Sequence, residues 1–97
     1  MLVIRDVFKL HFGKARDAKA LIREMRPLIE RHGMPARVLT DLVGEYYTMV
    51  LETTADDLAA YEAAMEPLLK DDAWQRLYQR FVPLVRHGYR EILQTVA

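Results

Sequence analysis

The chain contains no cysteine, which excludes disulfides, thiolate catalysis and cysteine-ligated metals. It also lacks an excess of either charge, because 14 basic and 14 acidic residues leave a formal net charge of zero. Binding to DNA, RNA or an anionic membrane draws on a surplus of positive charge, so neither nucleic acid nor a membrane is expected as a partner. No run is long and apolar enough to span a bilayer. The first stretch, Met1 to Phe12, alternates and carries charges through its middle, unlike a signal peptide, and the expected location is cytoplasmic. A phosphate-binding glycine loop, a nucleophile elbow and a basic-aromatic stripe are missing as well. The histidines are far apart in sequence, with neither H-x-H nor H-E-x-x-H spacing. No metal site and no cofactor is therefore expected.

What is present fits one folded domain over residues 1–97, with 52% apolar and 29% charged residues. The organising stretch is Arg37–Glu52, two β-rich runs joined across Val43-Gly44. It reads as a hairpin in which Gly44 supplies the positive φ of a tight or bulged turn. In that register Leu42 faces Glu45, Thr40 faces Tyr47 and Val38 faces Met49. One face then carries Val38, Thr40, Leu42, Tyr47, Met49 and Leu51, and should hold the helices. The other carries Arg37, Leu39, Asp41, Tyr46, Thr48, Val50 and Glu52, a mixture that suits neither a dry core nor an ordinary wet surface.

A strand and a helix precede this hairpin, and a matching pair follows it. Leu2 to Phe12 alternates as a strand, with Asp6 the one polar residue on an otherwise apolar face. Lys14 to His32 reads as a helix whose stripe is Ala18, Leu21, Ile22, Met25, Leu28, Ile29 and His32. Pro27 should bend it or split off a last turn, and Gly33 caps it. Thr54 and Asp57 resemble a capping box for a second helix from Ala55 to about Leu69, with Leu58, Tyr61, Met65, Leu68 and Leu69 inward. Asp71 or Asp72 caps a short third helix carrying Trp74, Leu77, Tyr78 and Phe81, and a last strand runs from about Val85 to Val96. Met25 to Ile29 aligns with Met65 to Leu69, as if the halves repeat.

Two β-α-β halves make the fold class α+β, a ferredoxin-like βαββαβ chain with an antiparallel sheet in the order 4-1-3-2 and an extra short helix before the last strand. His11 then lies near His87, Lys9 near Tyr89, and Arg5 diagonal to Glu91. The last strand's alternation does not choose a face, since Ile92 and Val96 compete with Tyr89 and Leu93. Helices cover one side only. The open side carries Val3, Val7, Leu39, Val50 and Leu93, and both edge strands lack a proline, so a homodimer through the open sheet face is expected.

The first strand with Gly13 and the following helix, the Arg37–Glu52 hairpin and the short Trp/Tyr helix together resemble the dimeric α/β-barrel superfamily. Within it the chain is most similar to NIPSNAP-like and antibiotic-biosynthesis-monooxygenase-like small proteins. The resemblance implies a cavity against the sheet. It does not imply one chemistry, since members include cofactor-free oxygenases acting on phenols, haem-binding proteins and proteins without known activity.

His11 and His87 are the candidate acid/base residues, because imidazole titrates near neutrality, or they are ordinary strand-end surface residues. Asp6 either pairs with Arg90 across the first and last strands or, buried in a cavity, serves as a base. Arg5, Lys9 and Glu91, with Arg90, either orient an anionic or phenolic ligand or form a salt-bridged network. Tyr46, Thr48 and Tyr89 are candidate lining residues. His32 is read as structural, and Trp74, Tyr78 and Phe81 either as packing that closes one end of the helix layer or as a lid over the cavity. Three functions remain open: a homodimer binding a small organic molecule on the open sheet face, a cofactor-independent monooxygenase or isomerase, and an interaction module without a ligand. A chamber of roughly 300 Å3 or more with convergent polar groups would favour the first two.

Overall fold

The computed structural model describes residues 1–97. The elements are β1 (Leu2–Leu10), α1 (Ala15–Arg31), β2 (Ala36–Thr40), β3 (Thr48–Ala55), α2 (Leu58–Leu69), α3 (Asp72–Phe81) and β4 (Val85–Gln94). A 3-10 turn, Val82–Leu84, leads from α3 into β4. The strands form one antiparallel sheet in the order β2-β3-β1-β4, the ferredoxin-like arrangement expected from the sequence.

The two-residue period of the strands divides the chain between two faces. On the helix side, Ile4 and Leu10 of β1 and Met49 and Leu51 of β3 share one core with Ala18, Leu21, Ile22, Met25, Leu28 and Ile29 of α1. Each fully buried aliphatic side chain contributes about 1.5–3 kcal/mol, so this stripe holds α1 on the sheet through Pro27. The helix does not split there. Phe81 of α3 is buried and meets Phe8 of β1 edge-on, with ring centroids 5.1 Å apart.

Both strand registers differ from the expected ones by two residues, and in both the faces are unchanged. The hairpin pairs Thr40 with Met49 and Val38 with Leu51. It turns through loop 41–47 rather than at Val43-Gly44, because Asp41 closes it early. The Asp41 N–H donates to the Thr48 carbonyl at 3.1 Å, and the Asp41 carboxylate accepts the Thr48 N–H at 3.0 Å. Tyr47 takes a φ of 60° at the loop's end. Tyr46 therefore leaves the sheet instead of joining its open face. Between β1 and β4, Lys9 pairs with His87, Val7 with Tyr89 and Arg5 with Glu91. The register breaks after Lys9, and the His11 N–H bonds the Leu84 carbonyl at 2.9 Å, so His11 does not lie opposite His87. A shift of two, the side-chain period, moves neighbours without exchanging faces.

The boundaries of α2 also differ from expectation. Strand β3 continues to Ala55 against Leu2, and Asp57, not Thr54, caps the helix by accepting the Ala60 N–H at 2.8 Å. Tyr61 and Leu68 are buried while Leu58 and Leu69 stay exposed. Asp71 caps α3 through the N–H groups of Ala73 at 2.8 Å and Trp74 at 3.4 Å. The pairing with β1 assigns the faces of β4: Gly88, Arg90 and Ile92 point to the helices, and His87, Tyr89, Glu91 and Leu93 to the open face.

Candidate functional site

The sheet brings the sequence candidates to two separate places. On the open face, Val7 and Val50 are already buried in the single chain, ringed by exposed Leu39, Tyr89 and Leu93. The charges among them are mutually paired. Arg5 lies 3.2 Å from Glu91 and 3.8 Å from Glu52, which also holds Arg37 at 2.7 Å. Lys9 donates to Thr48 Oγ1 at 3.0 Å and reaches Glu45 at 3.2 Å, and Arg86 reaches Glu45 at 2.8 Å. The hydrogen bond from Lys9, aided by Arg86, holds the Glu45 carboxyl below its ordinary range against some desolvation. A shallow depression of about 250 Å3, lined in part by Arg5, Lys9, Leu39, Thr48 and Val50, opens here. Thus Arg5, Lys9, Thr48, His87, Tyr89 and Glu91 share one face. His11 stands apart and exposed beyond the end of β1, and Tyr46 sits in the loop with its ring 6.3 Å from that of Phe12.

Asp6 belongs to the other place. Between the sheet and the helices lies a narrow cavity of about 90 Å3. Its walls are mostly apolar: Met25 and Ile29 from α1, Met65 and Leu68 from α2, Trp74 and Phe81 from α3, and Leu51 from the sheet. Asp6 and Arg90, cross-strand partners on β1 and β4, form its polar end. Arg90 Nε donates to Asp6 Oδ1, and the guanidinium lies 5.9 Å from the centre of the Tyr61 ring, a cation-π distance. Partial burial works against the charge on Arg90. The hydrogen bond and charge of Asp6 outweigh it, so the pKa of Arg90 lies above its ordinary value. Burial likewise pushes the Tyr61 phenol up; the nearby Arg90 opposes that shift and Asp6 adds to it.

The Asp6–Arg90 pairing is the one contact in this cavity that the sequence pointed to. Tyr61 and Met65 read only as packing, and Trp74 as packing or a lid, since an inward helical stripe looks the same whether it fills a core or lines a cavity. The usable signal was a carboxylate on the apolar face of β1, which requires a partner from a neighbouring element. At about 90 Å3 the space lies below the roughly 300–1,000 Å3 of a typical drug-sized ligand pocket. A larger occupant has to displace side chains, and three of those lining it, Met25, Met34 and Met65, are methionines, the most adaptable of apolar residues.

The chain is thus a single antiparallel ferredoxin-like sheet in the order β2-β3-β1-β4 with its helices on one side. The family model for NIPSNAP matches residues 4–97, and the chain belongs to the NIPSNAP family. A crystal structure of a NIPSNAP domain protein from Burkholderia xenovorans superposes with a TM-score of 0.91 at 24% identity, covering 100% of this chain and 96% of that one. A NIPSNAP family protein of unknown function from Agrobacterium tumefaciens gives 0.87 at 14% identity, over 96% and 86% of the two chains. SnoaB, a cofactor-independent oxygenase from Streptomyces nogalater, gives 0.74 at 12% identity, over 97% and 91%. At such identities the likeness speaks for the fold. The comparison with curated proteins finds no match.

Proposed function

We propose that the protein is a homodimer, joined open face to open face, and that each subunit binds one small, largely apolar organic molecule in its helix-side cavity. The observation that carries the ligand reading is the polar end of that cavity, where Arg90, Asp6 and the Tyr61 ring converge on a mostly apolar chamber whose sheet wall also includes the buried Thr53. A molecule with one hydrogen-bonding group and an aromatic or aliphatic body matches that distribution. The open face suits a different role. Its charges are already paired within the chain, so a ligand there would have to compete with neighbours such as Glu52 and Glu91 for Arg5. Exposed Leu39, Tyr89 and Leu93 around Val7 and Val50 instead give a second subunit an apolar surface to cover.

Native mass spectrometry followed by titration with phenol, indole and benzoate tests this reading, with methionine-methyl NMR as the readout. The expected result is a dimer in which one of these probes shifts Met25, Met34 and Met65 selectively and saturably. A monomer at micromolar concentration would remove the dimer. Saturable binding that leaves the methyls of Met25, Met34 and Met65 unshifted would remove the helix-side site. The shared fold with SnoaB adds one further assay, oxygen uptake in the presence of a bound phenolic probe. Consumption would make the binder an oxygenase.

A further inference from the structure

Three side chains of the helix-side cavity carry polar groups that the chain leaves without a partner. Thr53, Tyr61 and Trp74 line it and are only 5%, 8% and 8% exposed. The Thr53 hydroxyl, the Tyr61 phenol and the Trp74 indole N–H enter no hydrogen bond with another residue. None of these atoms is sealed off by its neighbours, so each stays open to a small molecule. Thr53 pairs with Ile4 on one side and Ala36 on the other, and the cavity is the space that its hydroxyl borders. Buried polar groups are nearly always paired, because an unmade hydrogen bond leaves the loss of hydration uncompensated. Three such groups around one cavity mark a place where an occupant supplies the partner.

The polar end supplies the rest of the donors. Arg90 gives its Nε–H to Asp6, while its terminal N–H groups bond no acceptor in the chain. The phenols of Tyr61 and Tyr78 both lie within electrostatic range of the guanidinium, and the Tyr78 ring stacks on Trp74 with centroids 6.2 Å apart. Arginine and tryptophan N–H groups only donate, whereas a hydroxyl does either. The one carboxylate at this end, Asp6, is already engaged by Arg90. Donors therefore outnumber the acceptors still open, and the ion pair carries no net charge. That combination discriminates among ligands. A carboxylate would enter a mostly apolar space whose cation Asp6 already neutralises, so its charge would go uncompensated. A phenol or an amine would offer a proton where the carboxylate acceptor is taken. A carbonyl oxygen accepts hydrogen bonds and brings neither charge nor proton. Resting on the helix-side ligand site above, we propose that the cavity selects a neutral carbonyl compound. Its oxygen accepts from the donors gathered there, foremost the terminal Arg90 N–H groups and the Tyr61 hydroxyl, and its apolar body lies among the methionines.

The test titrates the intact protein with three probes of similar shape, followed by methionine-methyl NMR. They are acetophenone, ethylbenzene, in which a methylene replaces the carbonyl, and benzoate, in which the acceptor is charged. Acetophenone should bind at least about fivefold tighter than either of the others, the worth of roughly one hydrogen bond. Infrared difference spectra of carbonyl-labelled acetophenone should show its stretch moved to lower wavenumber on binding, a signature that needs no variant. Tyr61→Phe, checked for native circular dichroism, should weaken acetophenone more than ethylbenzene. Equal affinity for acetophenone and ethylbenzene, tighter binding of benzoate, or a carbonyl stretch unmoved in the complex would each overturn the selection of a neutral carbonyl and leave the ligand site standing. No shift of the Met25, Met34 and Met65 methyls with any probe at about 1 mM would remove the site itself, and the carbonyl selection with it.

Discussion

Asp6→Asn, Arg90→Gln and their combination probe the polar end of the cavity through its energetics. The Asp6 side chain is 16% exposed and that of Arg90 48%. An exposed pair contributes about 0–1 kcal/mol, and breaking a fully buried one costs about 3–5 kcal/mol. Water reaches the Arg90 guanidinium from one side, so Asp6→Asn should cost about 1–2 kcal/mol, toward the screened end of that range. At about 4–8 °C per kcal/mol for a domain of this size, the midpoint falls by roughly 4–16 °C. Arg90→Gln leaves behind the more enclosed partner and should cost at least as much. In the double variant neither charge is stranded, and a coupling of about 1 kcal/mol should emerge from the cycle. Urea unfolding at one fixed protein concentration measures all four proteins, because association would otherwise shift the apparent stability. The phenol of Tyr61 gives an independent readout by ultraviolet titration: Asp6→Asn should lower its pKa and Arg90→Gln should raise it. A coupling under about 0.3 kcal/mol, together with a Tyr61 titration that neither variant moves, would refute the pairing as the organiser of this site.

Three further outcomes follow from the same geometry. The Tyr61 pKa is raised by folding, so its contribution to stability is complete below the unfolded value near 10 and is lost as pH rises through the folded value; Tyr61→Phe should flatten the alkaline limb of a stability–pH curve. Gly88→Ala would place a Cβ 2.6 Å from the backbone oxygen of Val7 on the central strand, which should cost about 1–3 kcal/mol in chemical denaturation. A change within about 0.5 kcal/mol of zero would show that β4 does not pair with β1 in this register. Tyr89→Lys, half-exposed on the open face, should shift sedimentation from dimer to monomer while leaving circular dichroism unchanged, whereas an unaltered dimer would move the interface elsewhere.

Period and position were legible in the sequence to different degrees. Alternation assigned the faces of β1, β2 and β3, and the helical stripe of α1 was read correctly at its six apolar positions, all buried as spaced, whereas His32, expected to end the stripe, caps the helix and is only half-buried. The register within each pair was not legible, because a slip of two preserves every face and alternation alone cannot detect it. Asp41 decided the hairpin, by hydrogen bonding across its own loop, a local preference that competed with the glycine signal at Gly44. Strand β4 shows no alternation of its own to read, since Tyr89 and Leu93 on one face and Ile92 on the other are all exposed. Only its partner residues on β1 assign its faces. The cavity was hidden for a different reason. Its polar end joins residues 6 and 90, and its walls come from all three helices, so no contiguous stretch contains it.

The central strand β1 links the two proposed roles. Its odd residues, Arg5, Val7 and Lys9, stand on the face expected to meet a second subunit, and its even residues, Asp6 and Phe8, line the ligand cavity. Neighbours in sequence thus serve opposite sides of one backbone, so a shift of β1 that adjusts the proposed dimer face also displaces the carboxylate that holds Arg90. Strand β4 repeats this arrangement with Tyr89 and Glu91 flanking Arg90. Coupling between assembly and ligand binding needs no pathway longer than one peptide unit. The sign follows from rigidity: a partner that fixes β1 and β4 spares the ligand part of the ordering cost, so dimerisation and binding should each strengthen the other by the same factor.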